Sequence, residues 1–233
     1  MGRMPALLDA EIATLNQNFE ALSPQEILAQ LFARFGDQAA LSSSFGADAM
    51  ALVHMATRVK PDVRVIFIDT GWHFKETLAF RDEMVARFDL NLKVYQPPLA
   101  HADFVKRHGH LYQTDPDRCC AINKVEPMQR AIQDVSCWIS GVRRSQAATR
   151  AQTPNIEHRP SGLIKAYPLV RWSTKQVYEY MQQQLLPHHP LWEKGYISIG
   201  CQPCTQSISA GENERAGRWV GQNKIECGLH TQI

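Results

Sequence analysis

The feature that most restricts the fold is an alternation along the chain. Short apolar segments run into loops of small and polar residues, and the loops lead into stretches with helical spacing. Residues 38–45 read as a strand, followed by Gly46 and a helix near 48–57. Residues 63–68 (Val-Arg-Val-Ile-Phe-Ile) read as a strand with a nearly continuous apolar end. A helix over 75–88, a short strand over 92–95 and a helix after Cys120 follow, and 136–140 is strand-like up to Gly141. Nearly all-apolar strands alternating with helices predict an α/β fold, a mainly parallel sheet with helices on both faces. In such folds ligands bind beyond the carboxyl ends of the strands. The loops to watch are therefore 42–48, 69–73 and 141–150.

Local signals fix two helix starts. Ser23-Pro24-Gln25-Glu26 combines an N-cap serine, a proline at the first helical position and a glutamate at the third. Ile27, Leu28, Leu31, Phe32 and Phe35 follow at helical spacing, with Gly36 as a stop. Ser173-Thr174-Lys175-Gln176 repeats the capping box. With 233 residues the chain can bury one sizeable core. That core is expected over 1–204. Residues 205–233 are rich in Gly, Glu, Asn and Arg with little periodicity, and read as a mobile tail.

Composition narrows the function classes. A formal net charge of +2 lacks the basic bias of a dedicated nucleic-acid binder. Asp9 and Glu11 interrupt the apolar start before a signal sequence develops, and no run approaches the ~18 apolar residues of a membrane span. A reducing, cytoplasmic setting is the expectation, and there six cysteines point to metal or catalysis more than to disulfides.

Cys119-Cys120 and Cys201-Gln202-Pro203-Cys204 form two compact pairs. Four thiolates suit a cubane iron–sulfur cluster or a zinc ion. Adjacent cysteines favour the cluster, because neighbouring side chains point apart and a cluster offers them separate irons. Cys137, beside Trp138 in an apolar strand, reads as a core thiol. Cys227, in Glu226-Cys227-Gly228-Leu229-His230, has no core to fill; Gly228 gives its backbone freedom, and His230 could favour its thiolate or bind an anion.

Ser42-Ser43-Ser44-Phe45-Gly46-Ala47-Asp48 can hold an oxyanion with hydroxyls and a helix start, though no ordinary P-loop motif is present. The loop 141–150 carries Arg143, Arg144 and Arg150, whose forked guanidinium groups suit phosphate and sulfate. Arg215 and Arg218 stand three apart, so a helical turn would put both on one face.

Taken together, these motifs resemble the assimilatory sulfonucleotide reductases, in particular the iron–sulfur type of adenylyl-sulfate reductase. The resemblance runs from about residue 40 to the end, through the serine loop, Ile68-Asp69-Thr70-Gly71, the two cysteine pairs, the arginine loop and Glu226–His230. It implies a modified ATP-pyrophosphatase fold and a [4Fe-4S] cluster on Cys119, Cys120, Cys201 and Cys204. It implies Cys227 as the nucleophile that takes the sulfo group of adenylyl sulfate as S-sulfocysteine, releasing AMP, with thioredoxin as the reductant that then frees sulfite. Substrate contacts would fall on Ser42, Ser44, Asp48, Asp69, Thr70, Lys124, Gly141, Arg143, Arg144, Arg150, Arg215, Arg218 and His230. Val220 departs from the family, where a second Trp often follows Trp219. No nucleic acid or membrane is implied, and a homo-oligomer is admitted. Phosphoadenylyl sulfate is the rival substrate; a nucleotide-adenylating ligase and an iron–sulfur sensor are more distant readings.

Overall fold

The computed structural model describes residues 7–46, 49–209 and 211–233. Two helices, α1 (Asp9–Phe19) and α2 (Pro24–Phe35), precede the sheet. The capping box forms as written: the Ser23 hydroxyl accepts from the Glu26 N–H, and the Glu26 carboxylate accepts from the Ser23 N–H at 2.7 Å. The chain then runs β1 (Ala39–Ser42), α3 (Ala49–Val59), β2 (Arg64–Ile68), α4 (Lys75–Phe88) and β3 (Leu92–Tyr95). Next come the short helices α5 (His101–His108), α6 (Leu111–Thr114), α7 (Pro116–Cys120) and α8 (Glu126–Ala131), followed by β4 (Cys137–Ile139). β5 (Ile156–His158), β6 (Ile164–Ala166), α9 (Thr174–Gln183) and α10 (Gly228–Thr231) complete the described elements.

The six strands form one sheet in the order β3-β2-β1-β4-β6-β5. All pairings are parallel except β5 with β6. The pleat sorts side chains between two cores. Ala39, Leu41, Val65, Phe67, Cys137 and Ile139 face one, with helices α2, α3 and α9; Ala40, Ile66, Ile68 and Trp138 face the other, with Met128 and Ala131 of α8. Each fully buried Leu, Ile or Phe stabilises the fold by roughly 1.5–3 kcal/mol. Cys137 is such a core residue, with no exposure.

The helix expected after Cys120 begins earlier: both adjacent cysteines lie inside α7, and a π-helical turn, Ala121–Val125, joins it to α8. β5 and β6 are three residues each and carry Glu157, His158 and Lys165, too short and too polar for a period-2 signal. Among the described residues no helix is long and apolar enough to cross a membrane.

The chain order reverses between β1 and β4: β2 and β3 extend the sheet on one side of β1, and β4 opens the other. Such a reversal opens a crevice at the strand ends. Of residues 205–233, expected as a mobile tail, the described parts, 205–209 and 211–233, lie against the body over this crevice. Thr205 bridges Arg218, Trp219 and Lys224 are buried, and α10 packs on the π-helical turn.

Candidate active site

The crevice is a pocket at the carboxyl ends of β1, β2 and β4. Ser42, Ser43, Ser44 and Gly46 after β1, Ile68 and Thr70 at the end of β2, and Ser140 and Gly141 after β4 all line it. The serine loop bends sharply: buried Phe45 adopts φ +49°, rare for a residue with a Cβ, and the Ser43 hydroxyl accepts from the Phe45 N–H at 3.1 Å. Ser42 accepts from the Trp138 indole N–H at 2.8 Å. Asp48 lies outside the described residues.

The tail closes the pocket with Arg215, Arg218, Cys227 and His230, while Lys124 and Arg150 enter from the body. Four of the expected cations thus meet around one space. Arg150 and Arg215 both engage Glu226: Arg150 donates to its two carboxylate oxygens at 2.8 and 2.7 Å, Arg215 donates at 3.1 Å, and Thr149 adds a hydroxyl at 2.9 Å. Burial works against the Glu226 charge, yet the Arg150 pair and Arg215 pull its pKa down to about 2. Burial, with Arg150 beside it, lowers Arg215 to about 10. Arg218 donates to the Cys204 carbonyl at 3.3 Å and lies over Trp219. A Cβ at Gly200 would overlap the Arg218 guanidinium, so only glycine lets this arginine lie beside the cysteine loop.

Cys227 is half-buried and caps the start of α10. The neighbouring Cys120 sulfur holds its thiol well below the ordinary value; burial opposes this, while Lys124, the Leu229 N–H and Arg218 add to it. Burial opposes the charge of Lys124 too, but the nearby sulfurs of Cys201, Cys227 and Cys120 outweigh it and hold Lys124 above its ordinary value. Burial first, then Arg150 and Lys165, lower His230 to about 3, so it is a neutral imidazole. Its ring stacks on Trp138 at 6.0 Å.

Other expected residues sit elsewhere. Asp69 is outside the pocket lining and accepts from the Gly71 N–H and Gln96, holding its own loop. Arg143 is buried behind the wall, paired with Glu214 at 3.1 Å. Arg144 turns toward Glu20 at 2.9 Å and the Thr153 carbonyl. Conversely, the pocket wall includes Ser140 and His73, and the Ser140 Oγ, His73 Nδ1 and His230 Nδ1 are buried without a partner among the described residues. Buried orphan polar atoms around a pocket mark places where a ligand completes the hydrogen bonding. Ser140 was visible only as a strand end, His73 only as a member of its loop, and Glu226 only as a neighbour of Cys227.

A second, smaller cavity adjoins the first through Lys124, which lines both. Cys119, Cys120, Cys201 and Cys204 all line it, together with Trp72 and Asn123. Among the described residues no three His, Cys, Asp or Glu side chains are arranged to hold a metal ion. The donor chemistry nevertheless suits a cluster. Four thiols surround one space, Asn123 donates to the Cys119 sulfur at 3.6 Å, and the Thr70 hydroxyl lies 3.3 Å from the Cys201 sulfur. Trp72 and Trp219, packed on Cys201 and Cys204, each bury an indole N–H without a partner among the described residues. Surplus N–H donors beside thiolates match what cluster sulfurs accept.

The phosphoadenosine phosphosulfate reductase domain family matches residues 38–207. A phosphoadenosine 5'-phosphosulfate reductase of Gloeobacter violaceus is 42% identical over 222 residues, covering 93% of this chain and 92% of its own length. An adenosine 5'-phosphosulfate reductase of Mesorhizobium japonicum is 42% identical over 223 residues, covering 95% of this chain and 87% of its own length. Among solved structures, phosphoadenylyl-sulfate reductase from Candida auris in a phosphate complex is 32% identical, covers 89% of this chain and 100% of its own, and superposes with a TM-score of 0.78. Yeast FAD synthetase, at 17% identity, TM-score 0.58 and coverage of 86% and 70%, shares the fold alone. The chain belongs to the assimilatory sulfonucleotide reductase family.

Proposed function

We propose that this chain reduces adenylyl sulfate to sulfite and AMP, with Cys227 as nucleophile and a thioredoxin-type dithiol as reductant. One observation carries the reading: Cys227 and the cations Lys124, Arg150, Arg215 and Arg218 line the same pocket at the sheet's reversal point. The serine loop and the orphan polar atoms of Ser140, His73 and His230 offer further anion and nucleoside contacts.

In the first step the Cys227 thiolate attacks the sulfate sulfur. A new S–S bond forms, the sulfur–oxygen bond to phosphate breaks, and AMP leaves with the electron pair, giving S-sulfocysteine. In the second, a carrier thiolate attacks the Cys227 sulfur and sulfite leaves with the S–S electron pair. The carrier's second thiol then resolves the mixed disulfide and returns Cys227 as a thiol.

Thiolate activation is a small part of the rate. A cysteine with pKa about 8.5 is about 3% ionised at pH 7, and lowering the pKa by ~2 raises that roughly 25-fold. Intrinsic nucleophilicity falls roughly 8-fold in return, leaving about threefold. Placement of Cys227 in line with the breaking bond, and guanidinium charge at the departing phosphate, must supply most of the acceleration.

A [4Fe-4S] cluster, held by Cys119, Cys120, Cys201 and Cys204, would supply structural cross-linking and fixed negative charge beside Lys124. The buried ammonium of Lys124 would separate that charge from the anionic substrate.

The choice of adenylyl over phosphoadenylyl sulfate rests on the cysteine set and on the surplus arginines. Arg143 and Arg144, which could have served a 3′-phosphate, are engaged by Glu214 and Glu20. Thioredoxin-dependent sulfite release from each nucleotide tests this directly. A higher kcat/KM for the 3′-phosphorylated substrate would move the assignment to phosphoadenylyl-sulfate reductase.

A further inference from the structure

Lys165 is a wholly buried lysine in β6 that takes no part in the chemistry above. It belongs to a row across the sheet, with Glu157 its partner on β5 and Trp138 its partner on β4. Its ammonium lies 3.5 Å from the Glu157 carboxylate, 4.9 Å over the Trp138 ring and 5.9 Å over the Tyr167 ring. Glu157 also accepts from the Tyr167 hydroxyl at 2.6 Å. A buried ammonium is costly unless its donors are satisfied. One donor goes to the main-chain oxygen of Ile233 at 3.3 Å.

That contact joins the body of the sheet to the segment bearing the nucleophile. Ile233 and Leu229 pack on the same core as Trp138, and His230 stacks on the Trp138 ring with 12° between planes. Between this seat and Cys227 stands a single tight turn: His230 N–H donates to the Cys227 carbonyl at 3.2 Å, and Gln232 N–H to the Gly228 carbonyl at 2.8 Å. A displacement at Ile233 is therefore passed to Cys227 with little slack. Trp138 in turn is tied to Ser42 of the serine loop, so the same row references the tail to a pocket wall.

We propose that Lys165 is a positioning residue for Cys227: with Trp138 it seats residues 229–233 and so sets where the thiolate stands over the pocket. The proposal rests on the reading of Cys227 as nucleophile, but its first test does not need turnover. In the cluster-loaded enzyme, Lys165→Met, and Lys165→Met with Glu157→Gln to avoid a lone buried carboxylate, are compared with wild type. Alkylation of Cys227 by iodoacetamide, followed on its peptide, should be about tenfold faster in both variants, the scale of one lost charged hydrogen bond. With saturating adenylyl sulfate and no dithiol, S-sulfo formation on Cys227 should slow by about tenfold while half-saturation changes less than about twofold. Adding removal of Ile233 to Lys165→Met should have a less than additive effect, since both act on one contact.

Wild-type rates of alkylation and of S-sulfo formation in the neutral double variant would overturn the seat, as would full additivity with Ile233 removal. If wild-type enzyme forms no adduct on Cys227, the reading of the nucleophile fails, and the alkylation arm still decides the seat.

Discussion

Arg150 and Glu226 form a two-pronged ion pair, at 2.7 and 2.8 Å, with each side chain only about a tenth exposed (10% and 11%). The carboxylate belongs to the residue before Cys227, so an arginine that lines the pocket also holds the neighbour of the proposed nucleophile. Arg215 reaches the same carboxylate. Glu226→Gln should leave both guanidinium groups short of charge and loosen the tail. S-sulfo formation on Cys227 should fall by roughly 10–100-fold, about 1.4–2.7 kcal/mol. Nucleotide affinity in a Cys227→Ser background should not weaken, because an anionic ligand then meets two cations without a competitor. Isothermal titration beside single-turnover mass spectrometry separates the two; weaker binding with an unchanged adduct rate would contradict this account.

Acid should undock the tail in two stages. His230 is lowered from 6.5 to about 3, so below pH ~6.5 the unfolded or undocked chain binds a proton that the docked chain refuses. Docked stability therefore falls as pH drops from 6.5 toward 3. Glu226 is lowered from 4.5 to about 2, so its contribution is complete above pH 4.5 and is lost as pH falls toward 2. Hydrogen exchange of the 205–233 peptides across pH 2–8, corrected for intrinsic exchange rates, should show progressive deprotection on the acid side. A flat profile would show that neither group is linked to docking.

Arg215→Ala and Arg218→Ala should each lower kcat/KM by roughly 1.5–3 kcal/mol, the value of a charged hydrogen bond. Lys60 is the control, since it pairs with Asp37 and Asp62 on the surface and exposed pairs contribute little. Equal modest losses at all three positions would argue against a tail that closes on substrate.

Cluster loading should give a brown protein with four irons and four sulfides per chain, as four cysteine ligands require. Cys201→Ser or Cys204→Ser should lose colour and activity together. Stoichiometric zinc in colourless, anaerobically purified protein would point to the other metal that four thiolates suit.

In the proposed reaction Cys227 would meet a buried nucleotide and then the dithiol of another protein, which requires the docked tail to open once AMP leaves. Proteolysis after Cys204 should be slower in Cys227→Ser with adenylyl sulfate bound than without it. Equal protection in both states would leave no room for a lid.

Signals read within a turn or a pleat were legible in the linear chain. The boxes at Ser23–Glu26 and Ser173–Gln176 form because their partners are three residues apart, inside one turn. The strands at 64–68 and 137–139 follow from burial on both faces, which leaves an apolar run whatever the partner strand. The cysteine pairs, the serine loop and Cys227 could be picked out because their chemistry is carried by residue type. What each cation would face could not be read this way. Arg143, Arg144 and Arg150 are near neighbours in one loop, yet they turn to Glu214, Glu20 and Glu226, up to 124 residues away. Nothing in the linear chain marks Lys165; the order β4-β6-β5 sets it between Trp138 and Glu157, and the tail returns to it. Charge pairing acts over a few ångströms with no preferred sequence separation. Only the order of strands in the sheet, and the path of the tail across their ends, decides which charges come within that reach.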